Sequence, residues 1–463
     1  MATASRTRTV ALLLFAQSGW TMAHGGGTEY PIFHEPQSYT FFANDWVVAA
    51  GDFNEDGLVD LMSTTPTTTG SFGRILDDGI YTLKIQRDNA DFSQRGPFIE
   101  TFPDEHHGGH TIVAEDFNGD GHVDIASVDI LSSTPLTVLL GHGDGTFEPT
   151  AGYPNTGRDM AAGDMDNDGD IDLVLSNGGH VVLNDGNGNF FINGVAGDVE
   201  FGGDIALGDL DEDGYLDIVT TPRTSFTPSL THVNVQLNSA NGAGDPLPAQ
   251  PLFIGGGSPK RIALADMDSN GHLDLVVMIE APFDGEFPTA LGLLLGNGDG
   301  TFQAPEVFAA HNAGYYIGFN MLAEDLDLDG QPELAVTSTV IVNVSSHAET
   351  AIFEYDHQSG ALVMVENLVR LGTASTNMIA VDINNDGSPD LVTPSHISLN
   401  RIEAGCSLAD LAEPFGTLDF FDISSFINAF AASTPDADLA EPFGAWDFFD
   451  VSAFLNAYND GCP

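Results

Sequence analysis

Aspartate and asparagine recur along this chain at a spacing that suits a cation. Residues 163–173 read GDMDNDGDIDL, five aspartates and one asparagine in eleven positions. The pattern D-x-[D/N]-x-[D/N]-G-x-x-[D/E]-[L/I] occurs seven times, starting at Asp52, Asp116, Asp164, Asp209, Asp266, Asp325 and Asp382. Oxygens at positions 1, 3, 5 and 9, with the backbone carbonyl at position 7, make a ligand set for a hard cation. Calcium takes six to eight oxygens at about 2.3–2.6 Å, and the glycine at position 6 permits the sharp turn between them. The candidate ligands of the first loop are Asp52, Asn54, Asp56 and Asp60 with the carbonyl of Leu58. Those of the second are Asp116, Asn118, Asp120 and Asp124 with His122. The third offers Asp164, Asp166, Asp168 and Asp172 with Asp170, and the fourth Asp209, Asp211, Asp213 and Asp217 with Tyr215. The fifth offers Asp266, Asp268, Asn270 and Asp274 with His272, and the sixth Asp325, Asp327, Asp329 and Glu333 with Gln331. The seventh has Asp382, Asn384, Asp386 and Asp390 with Ser388. Asp, Asn and Gly are also favoured turn residues, so one such segment alone reads as a solvated acidic turn. Repetition of the same side chains in the same order points instead to about seven Ca2+ ions, one per loop, with the four-acid loops 3, 4 and 6 binding most tightly.

The elements that hold these loops are strands. An EF-hand is excluded, because position 12 is Ser63, Ser127, Leu175, Thr220, Val277, Val336 and Thr393 in turn, never the bidentate acid that loop requires. Each loop is followed by a short apolar or alternating run, as in VDIAS and LDLVVM, and preceded by another, as in TIVAEDF and RIALADM. LTVLLGHGDGTF (136–147), HVVLNDGNGNF (180–190) and LGLLLGNGDGTF (291–302) read as a third strand entering a glycine-rich turn. Stretches such as FEPTAGY and FQAPEVF supply a fourth. The loops start 64, 48, 45, 57, 59 and 57 residues apart, a period that indicates a repeat architecture of four strands per unit. The expected fold is all-β: a seven-bladed β-propeller with calcium loops, over residues 24–403. After the seventh loop too few residues remain for a whole blade, so the extended stretch YPIFHEPQSYTF (30–41) is expected to complete it as the outer strand.

These repeats resemble the FG-GAP/VCBS family, the integrin α-type propeller, over roughly residues 30–403. The resemblance implies calcium at the loops and a partner on the opposite face or the rim.

The last 60 residues (404–463) differ. ADLAEPFGTLDFFDISSFINAFA (409–431) returns as ADLAEPFGAWDFFDVSAFLNAYN (437–459), with apolar residues at helical spacing. Asp419 and Asp447 stand where helix N-caps would be, with Asp422 and Asp450 three residues on. Cys406 and Cys462, the only two cysteines, bracket the duplication. In an exported chain an even pair points to a disulfide, with two free thiols as the alternative. This tail resembles the GC-type dockerin-like module, which implies a small α-helical domain that docks to a cohesin-like or envelope anchoring partner. On that resemblance Asp410, Asp419 and Asp422, with Asp438, Asp447 and Asp450, are candidate cation ligands, beside their reading as helix caps.

Charge and targeting fit an exported protein. The 68 acids outnumber 12 Lys and Arg, for a net charge of −56, and 24 of the acids sit at loop ligand positions. Such a balance excludes nucleic acid, whose binders are basic. The N-terminus, MATASRTRTVALLLFAQSGWTMA, has two arginines, a short apolar run and small residues placed for cleavage, so residues 1–23 read as a secretory signal. No stretch approaches the length of a transmembrane segment.

No nucleophile elbow, zincin helix or phosphate loop is present, which favours a protein that is not an enzyme. The connectors opposite the calcium loops hold the ligand-face candidates: His106, His107, His110, Tyr153, Arg158, Lys260, Arg261, Tyr315 and Tyr316. Aromatics beside polar groups suit sugars or peptides, while core packing is the competing role for the tyrosines and a solvated loop for the histidines. Three functions follow as alternatives. The first is a secreted calcium-binding adhesion module for a glycan or protein ligand, the second a carbohydrate-active enzyme (polysaccharide lyase or hydrolase), the third a structural cell-surface protein.

Overall fold

Each cation loop joins two antiparallel strands, and all seven hairpins share one register. In the computed structural model the residue just before the loop pairs with loop position 9: Gly51 with Asp60, Glu115 with Asp124, Gly163 with Asp172, and Gly208 with Asp217. Ala265 with Asp274, Glu324 with Glu333 and Val381 with Asp390 complete the set. The structure describes residues 33, 37–38, 47–55, 57, 59–68, 75–84, 99–100, 111–128, 136–150, 153, 159–176, 180–195, 201–222, 231–254, 257–280, 289–309, 315–342, 345–371, 378–383, 387–393 and 396–400, with 423, 426–427, 430 and 451.

After β1 (Gln37–Ser38), blade 1 comprises β2 (Val47–Gly51), β3 (Asp60–Thr68), β4 (Ile75–Lys84) and β5 (Ile99–Glu100). Blade 2 is β6 (Thr111–Glu115), β7 (Asp124–Val128), β8 (Leu136–Gly141) and β9 (Phe147–Pro149). Blade 3 is β10 (Met160–Gly163), β11 (Asp172–Leu175), β12 (His180–Asn184) and β13 (Phe190–Val195). Blade 4 is β14 (Phe201–Gly208), β15 (Asp217–Pro222), β16 (His232–Gln236) and β17 (Gln250–Phe253). Blade 5 is β18 (Ser258–Ala265), β19 (Asp274–Glu280), β20 (Thr289–Leu294) and β21 (Glu306–Ala309). Blade 6 is β22 (Tyr315–Glu324), β23 (Glu333–Val342), β24 (Ser345–Asp356) and β25 (Ala361–Leu371).

A ring of seven like units is therefore not what the chain builds. Six blades are continuous four-stranded runs, and the remaining sheet is composite: β26 (Ile379–Val381), β27 (Asp390–Thr393) and β28 (His396–Ser398), with β1 as its outer strand. Among the described residues only β27 and β28 follow the seventh loop, and β1 supplies the fourth strand. Gln37 pairs with Ile397 and Ser38 with His396, and Phe33 bridges to Asn400. This is the strand exchange expected for residues 30–41. The first strands pack side by side in blade order, and β26 touches both β22 and β2.

Burial explains the apolar runs. Every described residue of β7, β11, β15 and β27 is buried, because a second strand has a neighbouring blade on each face. Outer strands such as β17 are mostly exposed. The core accordingly lies between blades: Phe117, Ala126 and Val138 of blade 2 cluster with Met160, Leu173 and Val182 of blade 3. Loop position 2 reaches into this core each time, as Phe53, Phe117, Met165, Leu210, Met267, Leu326 and Ile383, all buried.

Most of the helical domain expected over 404–463 lies outside the described residues, and no helix element is defined among those described. Helical backbone is recorded only at Ile423, Phe426, Ile427, Phe430 and Val451. Residues 1–23, Cys406 and Cys462, and the candidate aspartates of the duplication lie outside the described residues. No described helix is long and apolar enough to cross a membrane.

Candidate metal centres

The loops owe their shape to the same acids proposed as ligands. The position 1 carboxylate accepts a hydrogen bond from the position 6 glycine N–H in all seven: Asp52 from Gly57 at 2.8 Å, Asp116 from Gly121 at 2.9 Å, Asp164 from Gly169 at 2.9 Å and Asp209 from Gly214 at 2.9 Å. Asp266 from Gly271, Asp325 from Gly330 and Asp382 from Gly387 follow at 2.8, 2.9 and 2.8 Å. These glycines hold φ between 83° and 97°, a region that side chains disfavour. Position 5 turns inward to accept from the position 7 N–H, as Asp120 does from His122 at 2.9 Å and Asp213 from Tyr215 at 3.0 Å.

Position 9 is the buried anchor. Asp124 accepts from Phe117 N–H at 3.0 Å with one oxygen and from Gly141 N–H at 2.6 Å with the other. Asp172 does the same with Met165 at 2.8 Å and Asn184 at 2.7 Å, and Asp217 with Leu210 at 2.8 Å and Asn238 at 2.7 Å. The longer Glu333 reaches the same place, accepting from Leu326 N–H at 2.8 Å. Burial pushes these carboxyls up: Asp60, Asp124, Asp217 and Asp274 to about 6, Asp172 to about 7, and Glu333 to about 9. Neighbouring loop acids add to the rise in each case, and backbone N–H donors oppose it.

Positions 1, 3 and 9 converge. In the sets Asp164–Asp166–Asp172, Asp209–Asp211–Asp217, Asp266–Asp268–Asp274 and Asp325–Asp327–Glu333, one oxygen from each member lies within 4.8 Å of the others. Asp166 Oδ1, Asp211 Oδ1 and Asp325 Oδ1 are buried without a hydrogen-bond partner. An unpaired buried carboxylate oxygen is costly, and three of them lie in acid clusters that could hold a cation. Loop 5 joins this group although Asn270 stands at position 5, because position 5 is not one of the three that converge. Loops 1, 2 and 7 carry asparagine at position 3. In loop 2 the Asn118 side chain accepts from Asp120 N–H at 2.8 Å and its amide donates to Asp120 at 3.0 Å. Asp56, Leu58, Asn384 and Asp386 lie outside the described residues, whereas Asp52, Asn54, Asp60, Asp382, Ser388 and Asp390 lie within them.

The ligand-face candidates separate. Tyr153 is a packing residue: its ring lies 6.0 Å from that of Phe190, edge to face, and its hydroxyl accepts from Phe190 N–H at 3.0 Å. Lys260 pairs with Glu280 at 2.6 Å. Arg261 belongs to a polar chain across the first strands, five residues ahead of successive loops. Its Nη1 donates to Asp204 at 3.0 Å and lies 3.6 Å from Asp159, which accepts from Thr111 Oγ1 at 2.9 Å. Burial raises the Asp204 carboxyl, the guanidinium opposes this, and the Asp159 carboxylate adds to the rise. Tyr315 and Tyr316 pair through their backbone with Ile341 and Val340 in blade 6. His106, His107, His110 and Arg158 lie outside the described residues.

The sequence reading missed the residues that close the third strand. Asn184, Asn238 and Asn400 are buried and donate to the loops. The signal was the dipeptide Leu-Asn at 183–184, 237–238 and 399–400, answered by Leu-Gly at 140–141 and 295–296.

A family model for the FG-GAP-like repeat matches residues 116–175 and 164–220. No curated protein matches the chain. Among solved structures, the V. cholerae biofilm matrix protein Bap1 is similar at 13% identity, over 79% of this chain and 76% of that one, with a TM-score of 0.33. A protein from Lactobacillus plantarum is similar at 12% identity, over 68% and 97%, with a TM-score of 0.37. Sqt1 of Saccharomyces cerevisiae is similar at 10% identity, over 79% and 99%, with a TM-score of 0.40. By its sheets and its matched repeats, the chain is an all-β propeller that carries FG-GAP-like repeats.

Proposed function

We propose that this protein is an exported, calcium-stabilised β-propeller that works as a binding or adhesion module. In this reading residues 1–23 direct export, and the composite sheet serves as the seventh blade of the ring over 24–403. Residues 404–463 anchor the protein through a dockerin-like tail. The observation that carries the reading is the convergence of loop positions 1, 3 and 9 in four successive hairpins, three of which leave a buried carboxylate oxygen unpaired. Ca2+ supplies positive charge and oxygen coordination there. The chain's own residues do the rest: position 1 shapes the turn, position 9 ties the loop to the sheet, and position 2 anchors it in the core. Calcium in the millimolar range outside cells fills even weak sites of this type. With the loop face given to metal, the connector face and rim are left for a glycan or protein ligand.

The test has two arms. Calcium should raise the melting temperature of the mature protein, and a chelator should lower it; equal melting in both would remove the calcium reading. Saturable binding to one sugar class on a glycan array, with calcium present, would establish a lectin-like module. Absence of glycan binding by folded protein would overturn the glycan ligand and leave a protein partner.

A further inference from the structure

Neighbouring cation loops are hydrogen-bonded to one another through a single residue at the end of the third strand. Asn184 donates from its backbone N–H to Asp172 of its own loop at 2.7 Å. Its Nδ2 donates to Ile171 O, at position 8 of the same loop, at 3.1 Å, and to Phe117 O, at position 2 of the preceding loop, at 2.6 Å. Asn238 repeats this one blade on, with Asp217 at 2.7 Å, Leu216 O at 3.2 Å and Met165 O at 2.8 Å. Asn400 repeats it in the composite sheet, with Asp390 at 2.6 Å, Pro389 O at 3.0 Å and Leu326 O at 2.7 Å.

Blades 2 and 5 reach the same end by another route. A Cβ at Gly141 would stand 2.3 Å from Val123 O, and one at Gly296 2.2 Å from Leu273 O, both carbonyls at loop position 8. No side chain fits, so the turn that follows supplies the donor: Gly145 N–H to Phe53 O and Gly300 N–H to Leu210 O, each at 2.8 Å. At five junctions, then, the position 2 carbonyl of one loop is held by the next blade.

That carbonyl lies between two ligand residues, positions 1 and 3. The N–H of the same residue is held by the position 9 carboxylate, as Phe117 N–H is by Asp124. A second link runs from position 4 to the next loop. Asn167 Nδ2 donates to Gly214 O at 2.7 Å, and Glu55 and Glu212 pair with His122 and His272.

We infer that Asn184, Asn238 and Asn400 are positioning residues that couple adjacent cation sites, so that filling one loop preorganises its neighbour and calcium is taken up cooperatively around the ring. The inference rests on the calcium reading above. Loops 1 to 5 form one hydrogen-bonded series and loops 6 and 7 a second. Outer residues of this kind typically change metal affinity about ten- to a hundredfold when lost.

The test is calcium titration of the mature wild type and N184A, with ions counted by native mass spectrometry and affinities read by calorimetry. Coupling predicts that N184A weakens two ions, those of loops 2 and 3, by about tenfold or more. It also predicts a shallower uptake curve for N184A than for the wild type. N238A should do the same for loops 3 and 4, and serves should N184A not fold. Weakening of one ion only, or a lower melting temperature in chelator with uptake unchanged, would overturn the coupling and leave a local structural role. A wild type that takes up no calcium would instead remove the calcium reading itself.

Discussion

At the scale of single residues, the position 9 acids make the loops sensitive to proton as well as metal. Asp172 has an ordinary value of 3.8 and is pushed up to about 7 by burial, and Asp124 and Asp217 to about 6. The metal-free folded state therefore binds more protons than the unfolded chain between about pH 4 and 7. These groups favour the fold most in acid, and that contribution is lost as pH rises through 6 to 7. On the calcium reading proposed above, the ion would reverse the trend, because it would take the place of the proton. Two outcomes are expected: metal-free protein melts at a lower temperature at pH 8 than at pH 5, and calcium binding at pH 6 releases protons. Calorimetry in buffers of different ionisation enthalpy measures the second directly. Asp172→Ala removes the acceptor for two buried N–H groups, Met165 and Asn184. At about 1–3 kcal/mol for each unsatisfied group, a loss of roughly 2–6 kcal/mol is expected in denaturant unfolding, even without calcium.

At the scale of the element, the hairpin is the unit, and its glycines do two different jobs. Gly271, at φ 90°, has open space around it, so Gly271→Ala meets backbone strain alone, about 1 kcal/mol. A Cβ at Gly296 would stand 2.2 Å from Leu273 O, so Gly296→Ala must push the end of the third strand off the loop and should cost clearly more, about 3 kcal/mol. Equal losses in paired unfolding curves would show that the close approach is not what fixes Gly296. The loops and the strands beside them were legible because their signals are local: acids at fixed offsets, a glycine, then an apolar run such as Leu275–Ile279 that only burial on both faces explains. The brackets at Asn184 and Asn238 were not. Each bonds a carbonyl 67 or 73 residues away, and nothing near an asparagine in sequence announces a partner on another blade. Arg261 was misplaced for the same reason. Its sequence reads as a connector, yet it lies in β18, where Asp204 and Asp159 reach it from two other blades.

At the scale of the whole molecule, stability depends on how the ring closes. Phe33 is 2% exposed and packs with Leu326, Ala335, Ile352, Met378 and Leu391, which come from blade 6 and the composite sheet. Its N–H points at both oxygens of Glu366, at 3.3 Å each. Phe33→Ala should cost about 3–5 kcal/mol, a large value for a residue beside the chain's outermost described strand. Deleting residues 30–41 should do more, because it bares the edge of β28 to other chains. Size-exclusion chromatography of that deletion should show self-association absent from the full chain, and a monomer of unchanged stability would place the closure elsewhere.

The pairing of β1 with β28 also sets an order of events. A ribosome delivers the first strand several hundred residues before its partner exists. Until the last hairpin emerges, the ring is an open arc with β1 bare and Phe33 unmatched at its first end. Completion is thus a single late step that no earlier blade can take on its own. A chain released after blade 6 but before β28 would hold every blade but the composite one and still lack the pairing that makes it a circle.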